Sequence, residues 1–282
     1  ILLVEPRPSG PAGLFDISLM GDEQPGSRQR GPPKPNGLMN QALVLHTSGT
    51  SGKKKVVPYT LRHLIVGACC VIQSWNLHSK QVDMNMMPLF HVGGIVRNLW
   101  APVLSGGSTI LCAGFDPNAW WTLTMQLGAT WYYAAPTMHH AILASKPADV
   151  DPSTQLQIGM ICNAAGGLLP SLANELRATF NCAVLPSYGM TECMPIASPP
   201  VTYKLERPGC SGVACGPDLS IRNQLDINKE LERGQTGAIC VRGVPTFSGY
   251  EMENGELDTS VFSKDGWFDS GDCGHMDQDG YL

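Results

Sequence analysis

Between residue 42 and residue 200 of this 282-residue chain, short apolar runs alternate with helix-period segments, and this alternation limits the fold more than any other feature. Residues 42–46, 84–87, 108–112, 130–133, 160–162 and 183–185 read as strands, and 61–75, 95–104, 118–127, 137–144 and 169–180 as helices. In the first helix Thr60 stands where a hydroxyl cap belongs, and Leu61, Leu64, Ile65, Ala68, Ile72 and Trp75 fall on one face. Strands joined through helices by short loops predict an α/β fold: a mostly parallel sheet flanked by helices over residues 42–200. Residues 201–282 are dense in Gly, Val, Ile and turn residues without a helical repeat. They predict a β-rich subdomain, with a strand at 238–242 and a hairpin signal at Asp279-Gly280. Residues 1–41, which carry Pro6, Pro8, Pro11, Pro25, Pro32, Pro33 and Pro35, read as a linker or surface segment with little regular structure.

With 43% hydrophobic and 15% charged residues and a net charge of −5, the chain offers no basic surface for nucleic acid or an anionic membrane. Its longest apolar run, around residues 64–72, falls well short of the roughly 20 residues that span a bilayer. The ten cysteines form no CxxC pair and no zinc spacing, so they read as free thiols of a reducing compartment. An intracellular, cytoplasmic location is expected, with a peroxisomal one left open. The sequence opens at Ile1 without a start methionine and stops at Leu282 just after an Asp-Gly turn, and it reads as an internal piece of a longer protein.

The strongest local signal is Thr47-Ser48-Gly49-Thr50-Ser51-Gly52-Lys53-Lys54-Lys55, directly after a strand. Small hydroxyl residues and two glycines let backbone amides close around phosphate oxygens, and a lysine adds a mobile positive charge. The Walker spacing is absent. The same run also suits a polar hairpin followed by solvated lysines. It resembles the signature loop of the adenylate-forming (AMP-binding) superfamily of acyl- and aryl-CoA synthetases, T-S-G-T-T-G-x-P-K-G. Lys54 and Val56 depart from that pattern, and Lys55 matches its lysine.

Other segments follow in the order of that superfamily. Pro88-Leu89-Phe90-His91-Val92-Gly93-Gly94 is similar to P-x-F-H-x-x-G, whose histidine lies between the acyl pocket and the pantetheine tunnel in the relatives. His91 stands where amino-acid-activating relatives carry aspartate, which disfavours an α-amino acid substrate. Asn163-Ala164-Ala165-Gly166-Gly167-Leu168 is similar to the adenine-contacting segment, which implies an adenine role for Ala165, Gly166 and Gly167. Ser187-Tyr188-Gly189-Met190-Thr191-Glu192 matches Y-G-x-T-E without departure. A tyrosine ring can stack on a base, a threonine hydroxyl can hold a phosphate oxygen, and a glutamate can ligate Mg²⁺. Trp267-Phe268-Asp269-Ser270-Gly271-Asp272 resembles W-[FY]-x-T-G-D, which implies that Asp272 grips the ribose hydroxyls with its two oxygens. Asp272, Asp277 and Asp279 lack the register of a calcium loop. Gly237 to Gly243 and Ser248-Gly249-Tyr250 are similar to a further stretch, G-E-[IL]-x-[IV]-x-G … G-Y.

The resemblance implies ATP-dependent activation of a carboxylic acid to an acyl-adenylate, with transfer to a thiol, either CoA or carrier-bound phosphopantetheine. It assigns the β- and γ-phosphates to Thr47, Ser48, Gly49, Thr50, Ser51, Gly52 and Lys55, the α-phosphate to Thr191, Mg²⁺ to Glu192, adenine to Tyr188 and ribose to Asp272. Catalysis of this kind is positioning and charge stabilisation. Ile95, Val96, Leu99 and Trp100 suit an acyl or aryl pocket, whereas Arg97 reads as a solvent-facing helix residue or the partner of a second carboxylate. Two alternatives stay open: a loading domain that serves a carrier protein, and a non-catalytic nucleotide-binding relative. A serine hydrolase is disfavoured because no G-x-S-x-G elbow occurs. Complete relatives carry about a hundred residues on either side, including a mobile lid with a catalytic lysine. These 282 residues alone are therefore expected to support negligible carboxylate-dependent ATP–pyrophosphate exchange, which an isotope-exchange assay reads directly.

Overall fold

The first helix begins as the sequence predicts. Thr60 Oγ1 accepts from the backbone N–H of His63 while His63 Nδ1 accepts from that of Thr60, both at 3.2 Å, a reciprocal cap that satisfies two orphan donors. The computed structural model describes residues 2–6, 15–19, 35–48, 54–163 and 165–282. Residues 1–36 and 37–282 form two separate compact units. In the first, Leu2–Pro6 (β1) and Phe15–Leu19 (β2) pair antiparallel, so a segment read as poor in regular structure holds a ladder.

In the second unit, Gln41–Ser48 (β3) and Lys54–Thr60 (β4) form an antiparallel hairpin that leads into Leu61–Ser74 (α1). Val82–Asn85 (β5) is followed by one continuous helical stretch: Val92–Ile95 (α2), a π-helical turn Val96–Trp100 and Ala101–Leu104 (α3). Pro102 supplies no N–H to the ladder there, which favours the wider turn. Ser108–Leu111 (β6), Pro117–Leu127 (α4), Trp131–Ala134 (β7), Pro136–Ala144 (α5) and the single turn Pro152–Gln155 (α6) come next. Met160–Asn163 (β8), Pro170–Phe180 (α7) and Ala183–Leu185 (β9) complete the α/β part.

Strands β6-β5-β7-β8-β9 make a five-stranded, all-parallel sheet. Its residues alternate between two cores. Trp131, Tyr133, Met160, Cys162 and Leu185 enter one with Trp75 and Val96, while Tyr132, Ala134, Ile161 and Val184 enter the other with Trp120, Trp121 and Phe180. The chain passes from β5 to β6 on one side and then returns to β7 on the other. This reversal opens a crevice at the carboxyl edge between β5 and β7, where α/β sheets bind ligands.

After β9 the chain turns to antiparallel pairing. Tyr188–Met190 (β10), Cys193–Ser198 (β11) and Val213–Ala214 (β12) form one sheet. Asp218–Asn223 (β13), Asp226–Glu230 (β14), Gly237–Arg242 (β15) and Phe268–Gly274 (β18) form another, in the order β14-β13-β15-β18. Tyr250–Glu251 (β16) and Leu257–Asp258 (β17) extend the β3–β4 hairpin. The expected hairpin at Asp279-Gly280 is a turn without flanking strands: Gly280 N–H donates to the Asp277 carbonyl, and the carboxylates of Asp277 and Asp279 pair with Arg207.

His139 on α5 is fully buried, with Nδ1 3.2 Å from the Tyr132 hydroxyl, and burial holds its imidazole down from 6.5 to about 3. Protonation therefore favours the unfolded chain. The contribution of neutral His139 is complete above pH 6.5 and is lost by about 1.4 kcal/mol per unit as pH falls from 6.5 toward 3. Urea midpoints measured across that window should fall more steeply for the wild type than for His139→Gln.

Candidate active site

The β9–β10 connection and the β10–β11 hairpin carry the Ser187-to-Glu192 segment of the site. β10 pairs with β11 with Met190 opposite Cys193, so Thr191 and Glu192 form a two-residue turn at the hairpin tip. Behind them, Ser187 Oγ donates to the Asn163 carbonyl at 2.6 Å, which ties the end of β9 to the end of β8. Asn163 Nδ2 in turn donates to the Gly166 carbonyl at 2.6 Å and shapes the turn after β8. Ala165 in that turn adopts a positive φ of 44°, a conformation that costs a non-glycine residue about 1–2 kcal/mol.

Two adjoining cavities lie over this edge, of about 510 and 560 Å³, and both are lined by Tyr133, Ala165 and Gly189. The smaller takes in Thr47 and Lys55 from the β3–β4 hairpin, His91 from the β5–α2 connection, Thr191 and Glu192 from the hairpin tip, and Tyr250 from β16. The larger takes in Gly166, Gly167, Tyr188 and Asp272. Thr47, Lys55, Thr191, Glu192 and Asp272 thus line a pair of hollows that share three wall residues. Ser48 ends β3 opposite Lys54. Gly49, Thr50, Ser51 and Gly52 lie outside the described residues, as does Ala164.

Contacts within the cavities are specific. The Tyr188 hydroxyl donates to Asp272 Oδ2 at 2.5 Å. Asp272 is set by Gly271, whose φ of 81° needs a glycine and falls where the β15–β18 ladder shifts register. Ser270, which replaces the expected threonine, bonds the Ile239 carbonyl at 2.8 Å and accepts from the Asp272 N–H at 3.2 Å. Glu192 is 5% exposed, and its Oε1 accepts from the Tyr250 hydroxyl at 2.7 Å. Burial, followed by that carboxylate, pushes the Tyr250 phenol up, so it remains a donor. Lys55 Nζ lies 4.5 Å from the centre of the Tyr250 ring, a cation–π contact. Lys55, read as part of a loop, stands on strand β4 opposite Thr47 because the hairpin ladder continues through it.

His91 caps α2. Its Nδ1 accepts from the Gly93 N–H at 3.1 Å, which makes Nε2 the protonated nitrogen of the neutral ring. Burial, and then the nearby Arg97, lower its pKa from 6.5 and favour that neutral form. Gly93 permits the approach of Tyr133, since an added Cβ would fall 2.9 Å from Tyr133 Cε1. Arg97 corrects the sequence reading. It is 1% exposed rather than solvent-facing, and it donates from Nη1 to Ser187 Oγ at 2.7 Å and from Nη2 to the Tyr188 carbonyl at 3.1 Å. Tyr133 and Tyr250 were not singled out for the site by the sequence. Tyr133 sits in a Trp-Tyr-Tyr run that reads only as core, whereas the Ser-Gly-Tyr motif was a signal for Tyr250.

Among the described residues no three His, Cys, Asp or Glu side chains group to hold a metal. The buried carboxylate of Glu192 can serve a hard cation only if the remaining oxygen ligands arrive with a phosphate chain and water, the arrangement that suits Mg²⁺.

Known proteins resemble this chain in sequence and in fold. A model of the AMP-binding enzyme family matches residues 11–251. The chain belongs to that family. It is 32% identical over 248 residues to an oxalate–CoA ligase of Arabidopsis thaliana, covering 86% of this chain and 47% of the relative. It is 30% identical over 254 residues to a sulfoacetate–CoA ligase of Cupriavidus necator, covering 89% and 48%. The structure of ATP-bound MatB from Rhodopseudomonas palustris superposes with a TM-score of 0.78 at 28% identity, over 87% of this chain and 48% of that one. The chain therefore spans about half the length of the family members it matches.

Tyr250→Phe keeps the ring under Lys55 but strips Glu192 of its hydroxyl partner in a buried setting. Urea denaturation should register a loss of roughly 1–3 kcal/mol.

Proposed function

We propose that this chain is the nucleotide-holding part of an acid–thiol ligase that couples a carboxylic acid to AMP and passes the acyl group to CoA. The observation that carries the reading is the pair of adjoining cavities in which Thr47, Lys55, Thr191 and Glu192 line one hollow while Tyr188 and Asp272 line its neighbour. The two volumes together suit an extended ligand whose polyanionic end and base differ in chemistry.

In this reading Asp272 accepts both ribose hydroxyls, and the Tyr188 hydroxyl fixes the carboxylate for that task. Ala165, Gly166 and Gly167 present backbone to the adenine, and the Tyr188 ring packs beside it. Thr191 holds the α-phosphate at the hairpin tip. Lys55, Thr47 and Ser48, with Gly49, Thr50, Ser51 and Gly52, hold the β- and γ-phosphates. Mg²⁺ on Glu192 would neutralise charge spread over the phosphate oxygens. His91, neutral at pH 7, lies between the acid and the incoming thiol and supplies a hydrogen bond without adding charge. Relatives named as CoA ligases favour CoA over a carrier-bound pantetheine. The ten free thiols suit a reducing, intracellular setting, and among the described residues no helix is long and apolar enough to cross a membrane. The acid is a small organic carboxylate, in keeping with the oxalate and sulfoacetate ligases among the relatives.

Calorimetry on the protein tests the nucleotide assignment. Asp272→Ala should weaken AMP about tenfold or more while leaving inorganic triphosphate unchanged, and Glu192→Gln should abolish the Mg²⁺ dependence of ATP binding while AMP binding holds. Equal losses for AMP and triphosphate in Asp272→Ala would overturn the ribose role. Incubation of the full-length protein with ATP, CoA and a panel of short carboxylic acids should yield an acyl-CoA detectable by mass.

A further inference from the structure

A fully buried cation stands behind the wall that the two cavities share. Arg97 projects from the π-helical turn Val96–Trp100 and is 1% exposed. Its guanidinium lies 5.2 Å from the Trp75 ring and 4.9 Å from the Tyr133 ring. The two hydrogen bonds to Ser187 Oγ and the Tyr188 carbonyl use one Nη each, and Nε has no partner. The ion pairs among the described residues join Arg207 to Asp277 and Asp279 and Arg242 to Asp218, and none includes Arg97.

The two buried acids among the described residues are otherwise engaged. Asp83 on β5 accepts both Asn98 bonds and the Thr109 hydroxyl, and burial raises its carboxyl far above the ordinary range, so it is poorly suited to carry a countercharge. Glu192 is held by Tyr250. A buried charge that lacks a counter-ion is disfavoured unless an anion reaches it, and aromatic faces and a carbonyl compensate only in part.

The cavities offer the place for that anion. Tyr133 and Gly189 line both hollows, Tyr133 stacks on the guanidinium, and an added Cβ at Gly189 would fall 3.3 Å from Arg97 Nη2. The charge is thus separated from the junction by one glycine backbone and one tyrosine ring. We propose that Arg97 is a positioning residue that supplies the fixed countercharge for the nucleotide phosphate at this junction, acting through Gly189 and Tyr133 without touching the ligand. This rests on the nucleotide reading above. The Ser187 and Tyr188 bonds hold the guanidinium still, so the field at the junction needs no reorganisation when phosphate arrives.

The experiment compares AMP with adenosine, which differ by the phosphate alone, in the wild type, Arg97→Lys and Arg97→Met. The ratio of their affinities should fall roughly tenfold or more in Arg97→Met and stay within about twofold of wild type in Arg97→Lys, which keeps the charge but loses the fork. A purely structural role would weaken both ligands equally in both variants and leave the ratio unmoved, which would overturn the proposal. Should Arg97→Met fail to fold, the wild type still decides. Preference for AMP should persist at about 1 M salt, where exposed lysines are screened within about 3 Å. Its disappearance at high salt would assign the preference to surface cations and sink the role of Arg97. Binding of neither ligand by the wild type would defeat the nucleotide reading itself, an outcome distinct from an unmoved ratio.

Discussion

The inner strands of the five-stranded parallel sheet are buried on both faces, and this single constraint dictates where chemistry can occur. Residues of β7, β8 and β9 alternate between two apolar cores, so neither face has room for a ligand. Only the carboxyl edge stays open. The chain reverses its winding between β5 and β7, so the connections that leave those two strands run to opposite sides of the sheet. His91, Ala165 and Tyr188 each stand just beyond one of the strands β5, β8 and β9.

What the edge lacks, the antiparallel parts supply. The β3–β4 hairpin and β16 bring Lys55 and Tyr250 to one hollow, and β18 brings Asp272 to the other. Two tyrosine–carboxylate bonds, Tyr250 to Glu192 and Tyr188 to Asp272, join elements distant in sequence and hold each acid in a set orientation. Each acid in turn keeps its phenol a donor, because burial and the neighbouring carboxylate both push the hydroxyl pKa up. The arrangement holds two carboxylates in fixed orientation before any ligand arrives, as the proposed nucleotide site requires.

Elements with a clear period were legible in the sequence. The helices of nine or more residues, α1, α4, α5 and α7, begin and end within one or two residues of the sequence reading, because caps and apolar spacing are local signals. The β10–β11 hairpin was not legible. Its turn is Thr191-Glu192, where hairpins of this length ordinarily favour Gly or Asn, so no turn signal marked it. The ladder in residues 1–36 was hidden by proline content. Arg97 was misplaced because a single arginine on an amphipathic stretch reads as solvent-facing, and only the fold brings Trp75, Tyr133 and Ser187 around it.

The sequence by itself determined the α/β class and put forward the candidate side chains of the site, since periodicity and short motifs are written in adjacent residues. Tertiary structure alone decided that Tyr133 and Gly189 form a wall shared by two cavities, that Tyr250 holds Glu192, and that Arg97 is buried behind both. These relations join residues 36 to 92 positions apart or bury a charge. They arise from the packing of sheet edge against hairpin, which no local pattern encodes.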